Sequence, residues 1–182
     1  MLINRLGRSG FLLAYSLLSL LALALMILAY RAAGPGAWLY VPLPEARLVA
    51  LAAMVPVMVL LVARLTTRAE ATPTGIYHLA AAPGSLAVLL WALLHLLNLG
   101  EARQVVVFTG MATIAAAALI KNLRLAPPPL RAVGLLRLSA LGRAAFWHEL
   151  GGWRIGLALA AYLALLALHP VVIGRDPLAG IP

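Results

Sequence analysis

Charge is distributed along this chain in a way that leaves few folds open. Five stretches carry no Asp, Glu, Lys or Arg: 22 residues between Arg8 and Arg31, 16 between Arg47 and Arg64, 30 between Glu70 and Glu101, 17 between Arg103 and Lys121, and 20 between Arg154 and Arg175. A helix needs about 20 mostly apolar residues to cross the hydrocarbon core, within a range of roughly 17–25. Four of the gaps are long enough, and the 16-residue gap suffices when its end residues snorkel to the interface. With 64% apolar and 10% charged residues, the chain has too little polar surface for a water-soluble globule. The expected fold is all-α: a polytopic transmembrane helix bundle of five spans at about 10–30, 46–63, 75–99, 104–120 and 155–174, forming one membrane domain over residues 1–182.

The absence of cysteine removes disulfides, thiolate metal sites and covalent c-type haem, and leaves non-covalent haem b on histidine open. The net charge of +9 does not point to nucleic acid, because the fourteen basic residues, thirteen of them Arg, lie between the apolar spans. That placement is typical of a protein whose first partner is the lipid bilayer. With the N-terminus inside, the inner segments hold Arg5, Arg8, Arg64, Arg68, Lys121, Arg124, Arg131, Arg137, Arg143 and Arg154. The outer ones hold Arg31, Arg47, Arg103 and Arg175. Ten against four predicts a cytoplasmic N-terminus and an outward C-terminus. The 21-residue run from Gly10 to Tyr30 exceeds a signal-peptide core and is expected to be retained as a helix.

Local chemistry punctuates these spans. Trp38, Tyr40, Pro42 and Pro44 suit the headgroup layer. Pro56 falls inside span two, and Pro83-Gly84 divides span three into a lead-in and a helix. Pro127-Pro128-Pro129 prevents the basic connection after span four from being helical throughout, and Pro177 and Pro182 mark an irregular tail. On one continuous helix, Arg131, Arg137 and Arg143 would stand about 240° apart and form no single face. Gly110, Ala112 and Ala115–Ala118 on span four permit close helix contact, the feature expected of a subunit that docks other membrane proteins.

No expected span contains a charged residue, which excludes the mid-membrane carboxylates and arginines of ion-coupled transport. The acidic residues fall in the connections, so paired-carboxylate hydrolysis has no support, and no phosphate-cradling Gly-rich loop is present. Four histidines remain. His95 and His169 each lie five residues, about 7.5 Å, inside the expected outer end of their spans. Two imidazoles at matched depth on facing helices form a candidate axial pair for haem iron. His78 and His148, near the inner side, form a weaker second pair, with His148 placed in a connection beside Trp147. His78 and His95 are 17 residues apart, about 25 Å along a helix, and cannot share one iron. Trp91, four residues before His95, lies on its face and is a candidate to pack on a ring cofactor. Against ligation stands the plainer reading, in which each histidine is an interfacial hydrogen-bonding group and Trp91 is packing. Asn98 and Glu101 are expected to cap helices and face the headgroups.

Several motifs match a known pattern. Gly75-Ile76-Tyr77, then Pro83, then Leu90-Trp91-Ala92-Leu93-Leu94-His95-Leu96-Leu97-Asn98-Leu99-Gly100, and later Phe108-Thr109-Gly110, resemble the NnrU family of integral membrane proteins. Arg5-Leu6-Gly7, the Tyr15–Leu20 run, Pro42, Pro44, and His169 ahead of Ile173-Gly174 agree in style. The resemblance implies a membrane protein associated with denitrification and redox metabolism, related to the plastid zeta-carotene isomerase, a haem b enzyme. Ala81-Ala82 stand here where the family places Arg-His before the proline, and relatives usually begin with one more histidine-bearing helix. The favoured expectation is an accessory, non-enzymatic role with haem b at His95 and His169. The alternatives are a haem-dependent carotenoid-type double-bond isomerase and a cofactor-free membrane assembly subunit.

Overall fold

The protein is described by a computed structural model covering residues 2–179, so Pro182 lies outside the described residues. Two compact units are distinguished by their internal contacts, one ending at Gly36 and one beginning at Ala37. The first is essentially one helix, α1 (Leu2–Ala32), interrupted at Gly7, where φ is +67°. Its apolar stretch Leu6–Ala32 is long enough to span a bilayer.

The second unit is a helical bundle. Its long elements are α2 (Pro44–Thr66), α3 (Pro83–Asn98), α4 (Ala102–Leu125) and α7 (Gly152–Ile173), with the short α5 (Pro128–Arg131) and α6 (Ala144–Leu150) between α4 and α7. Proline opens α2, α3 and α5, where its fixed φ suits a first turn and its missing amide costs nothing. Helix α2 packs on α3 and on α7, and α3 packs on α4. Apolar burial gives little drive between helices in lipid, so close approach through small side chains matters more. Ala63, Ala87, Ala92 and Ala158 are accordingly at or near zero exposure. Across the α2–α7 contact, the Tyr162 hydroxyl donates to the Leu51 carbonyl at 2.9 Å.

Among the described residues, four helices, α1, α2, α4 and α7, are long and apolar enough to cross a membrane. The third expected span takes a different form. A 3-10 turn at Gly75–His78 and a short non-helical stretch lead into α3, which has only 16 residues. Non-helical backbone at membrane depth must be sheltered by protein. Ile76, Ala80, Ala81 and Ala82 are buried, and the Ala81 amide donates to the Gly134 carbonyl at 3.0 Å. The Arg137 amide in turn donates to the Leu79 carbonyl at 2.7 Å.

The connection between α4 and α7 is only partly helical, as the proline run requires. Leu130, Val133, Ala140, Phe146 and Leu150 turn inward and are buried. His148 is corrected here: it sits on α6 rather than in a loop. Residues 144–150 close into helix, and Gly151, at φ +73°, then redirects the chain into α7.

Candidate functional site

Three chain segments converge beyond the C-terminal end of α3. The residues before α2 pair with those before α4: the Leu39 amide donates to the Gly100 carbonyl at 2.8 Å, and the Ala102 amide to the Ala37 carbonyl at 2.9 Å. The Tyr40 hydroxyl bonds the carbonyls of Leu99, at 2.9 Å, and of Leu96. Asn98 donates to the carbonyls of Leu94 at 2.9 Å and Ala46 at 3.2 Å, so it ties α3 to α2 rather than capping a helix. The third segment is the tail after α7, which Arg47 holds through the Ala179 carbonyl.

Glu101 sits at this junction and corrects the expectation of a headgroup-facing cap. It is 2% exposed, and its side chain makes no capping bond to α4. Its carboxylate is paired with Arg103, Oε1 to Nε at 2.6 Å, and lies 3.9 Å from Nη2 of Arg175. Burying a carboxylate is costly unless cations or hydrogen bonds compensate it, and these two guanidiniums lie against it. This cluster escaped sequence reading because its members lie up to 74 positions apart.

The Trp91 and His95 rings meet on α3, with centroids 4.6 Å apart. Phe108 on α4 stacks on His95 at 4.5 Å, 17° from parallel, and meets Trp91 edge-on at 5.3 Å. The Nδ1 of His95 lies 2.8 Å from the Trp91 carbonyl. That oxygen can only accept, so Nδ1 carries the proton and Nε2 presents its lone pair. His169, on α7 one residue before Pro170, repeats the arrangement: its Nδ1 lies 2.6 Å from the Arg175 carbonyl. His95 and His169 are carried on two helices, α3 and α7, that each pack on α2. The Phe108 contribution was legible only as part of the Phe-Thr-Gly motif, with no sign that its ring would lie on His95.

The family model described as NnrU protein matches residues 1–177. The chain belongs to the NnrU family. Among curated proteins and among solved structures, no match is found.

The other two histidines of this NnrU-family chain lie at the opposite end of α3. Nε2 of His78 is 3.0 Å from Oε2 of Glu149, and the same oxygen accepts the Gly75 amide at 2.8 Å. The Gly75 amide, and then the histidine beside it, hold the Glu149 carboxyl below its ordinary range. His148, adjacent to Glu149, is exposed on α6. The structure thus joins His78 to a carboxylate on α6. Among the described residues, no cluster of three or more His, Asp or Glu is arranged to hold a metal ion.

Proposed function

We propose that this NnrU-family chain is an accessory protein of denitrification or redox metabolism in the bacterial inner membrane, crossing it five times with its C-terminus outside. In this reading it binds haem b between His95 and His169. The observation that carries the haem assignment is the matched pair of Nδ1–carbonyl contacts. Histidines that ligate metals commonly donate their other N–H to a carbonyl, which fixes the tautomer and turns the free Nε2 toward the metal. Trp91 and Phe108 hold the His95 ring in place, and Glu101 with Arg103 and Arg175 anchors the tail that orients His169. Bound there, haem b would supply a one-electron redox centre.

The test is spectroscopic. The detergent-purified chain loaded with haem should show a Soret band, and His95→Ala and His169→Ala should each shift or abolish it. No band, or a band indifferent to both substitutions, overturns the haem assignment and leaves family membership untouched. The accessory role predicts impaired nitrate-dependent anaerobic growth when the gene is deleted, restored by the wild-type chain.

One observation supports a second reading, the cofactor-free assembly subunit. A groove of about 280 Å³ runs between Gly84, Ser85 and Val88 of α3 and Met111, Ala115 and Ala118 of α4, the small-residue surface a partner helix would use. Co-purification of a membrane partner without any chromophore would favour it. Turnover of a carotenoid substrate would instead favour the isomerase reading.

A further inference from the structure

Between Glu101 and Glu149 the chain has 47 consecutive residues without an acidic side chain. The second half of that stretch is the connection between α4 and α7, and it has two kinds of surface. Its inward set, Leu130, Val133, Ala140 and Phe146, is buried. Its outward set is large and apolar: Leu135 is 50% exposed, Leu136 48%, Leu138 63% and Trp147 47%. So much apolar surface within thirteen residues marks an interaction patch.

From the end of α4 up to Glu149, the charged side chains are all cationic. Arg124, Arg131 and Arg143 are exposed. Arg131 donates to the carbonyls of Arg124 at 2.8 Å and Ala126 at 3.1 Å, and Arg137 donates to the Ala132 carbonyl. Carbonyls orient a guanidinium without cancelling its charge. Glu149, the nearest carboxylate along the chain, is held by His78 and the Gly75 amide.

We infer that this connection lies in the membrane interface and selects anionic phospholipid, its leucines and Trp147 entering the acyl boundary and its arginines meeting phosphate headgroups. A bilayer is chosen over a soluble acidic partner because the segment is continuous at both ends with apolar helices long enough to span one. The inference holds for either orientation and is independent of the haem assignment.

The full-length protein is reconstituted in phosphatidylcholine vesicles containing a small, equal fraction of brominated phosphatidylglycerol or brominated phosphatidylcholine, and tryptophan quenching is read. The brominated anionic lipid should quench more strongly, corresponding to at least about two-fold local enrichment, and Trp147→Phe should remove most of the difference. The double variant Arg124→Gln/Arg143→Gln, which leaves the Arg131 and Arg137 carbonyl bonds in place, should reduce the enrichment. The lysine versions should keep it, and raised salt should weaken it in the wild type without any substitution. Equal quenching by the two lipids, or a preference unmoved by both salt and the double variant, overturns the inference. So does quenching of Trp147 by aqueous acrylamide but not by lipid, the result expected if this face stands in water, open to a soluble acidic partner.

Discussion

The backbone of Gly100 lies directly against that of Tyr40: a Cβ built on Gly100 would stand 1.8 Å from the Tyr40 carbonyl oxygen. No side chain fits there, and the clash is with backbone that two hydrogen bonds hold in place. Gly100→Ala should therefore cost about 3 kcal/mol, the upper end for overpacking, read as a lowered Tm in detergent. Gly110→Ala is the control. Its Cβ meets nothing within 4 Å on a helix, so its Tm should stay level or rise slightly.

Removing the charge of Glu101 leaves Arg103, whose side chain is 22% exposed, without its closest anion. Glu101→Gln is expected to destabilise by about 3 kcal/mol, most of it the cost of stranding the guanidinium. Adding Arg103→Gln should recover part of that loss, and a double-mutant cycle on thermal unfolding measures the coupling. Purely additive effects would mean that the pair contributes nothing.

Arg154 joins the start of α7 to the end of α2. Its guanidinium reaches Thr66 Oγ1 at 3.0 Å and the Leu150 carbonyl at 2.7 Å, and lies over the Trp153 ring at 4.5 Å. A lysine cannot reproduce that fork. Arg154→Lys should cost about 1–2 kcal/mol, visible as faster hydrogen exchange at the C-terminal end of α2.

The Glu149 tether should weaken in acid. Its carboxyl is held low in the fold, so the stabilisation is complete above the ordinary glutamate range and is lost as pH falls through the lowered folded value. Exchange of the Gly75 amide should accelerate below about pH 4, and Glu149→Gln should abolish that dependence. Because Glu149 is well exposed, the effect on global stability should be small.

How much of this could be read from residues alone depends on distance along the chain. The long apolar helices follow from uncharged runs of bilayer length, and the division of span three follows from Pro83-Gly84. Within α3, the meeting of Trp91 and His95 follows from a spacing of four. The burial of Glu101 was not legible, because it depends on a strap from residues 37–40 and a guanidinium beyond α7. Arg131, Arg137 and Arg143 look scattered only if the connection is one helix. It is broken into α5, a 3-10 turn and α6, so that angular calculation does not apply to the folded segment. The pairing of His78 with Glu149 rests on α6 packing against the 3-10 turn, which no local pattern announces.

The 16 residues of α3 have a consequence for the membrane. At 1.5 Å per residue they reach about 24 Å, several ångströms short of a typical hydrocarbon core of ~30 Å. If α3 alone crosses, either its end residues snorkel or the lipids beside it thin, and the cost grows with bilayer thickness. Such a chain should settle in thinner membranes and draw its neighbours to the same depressed patch, so that lipid geometry sorts it before any specific contact is made.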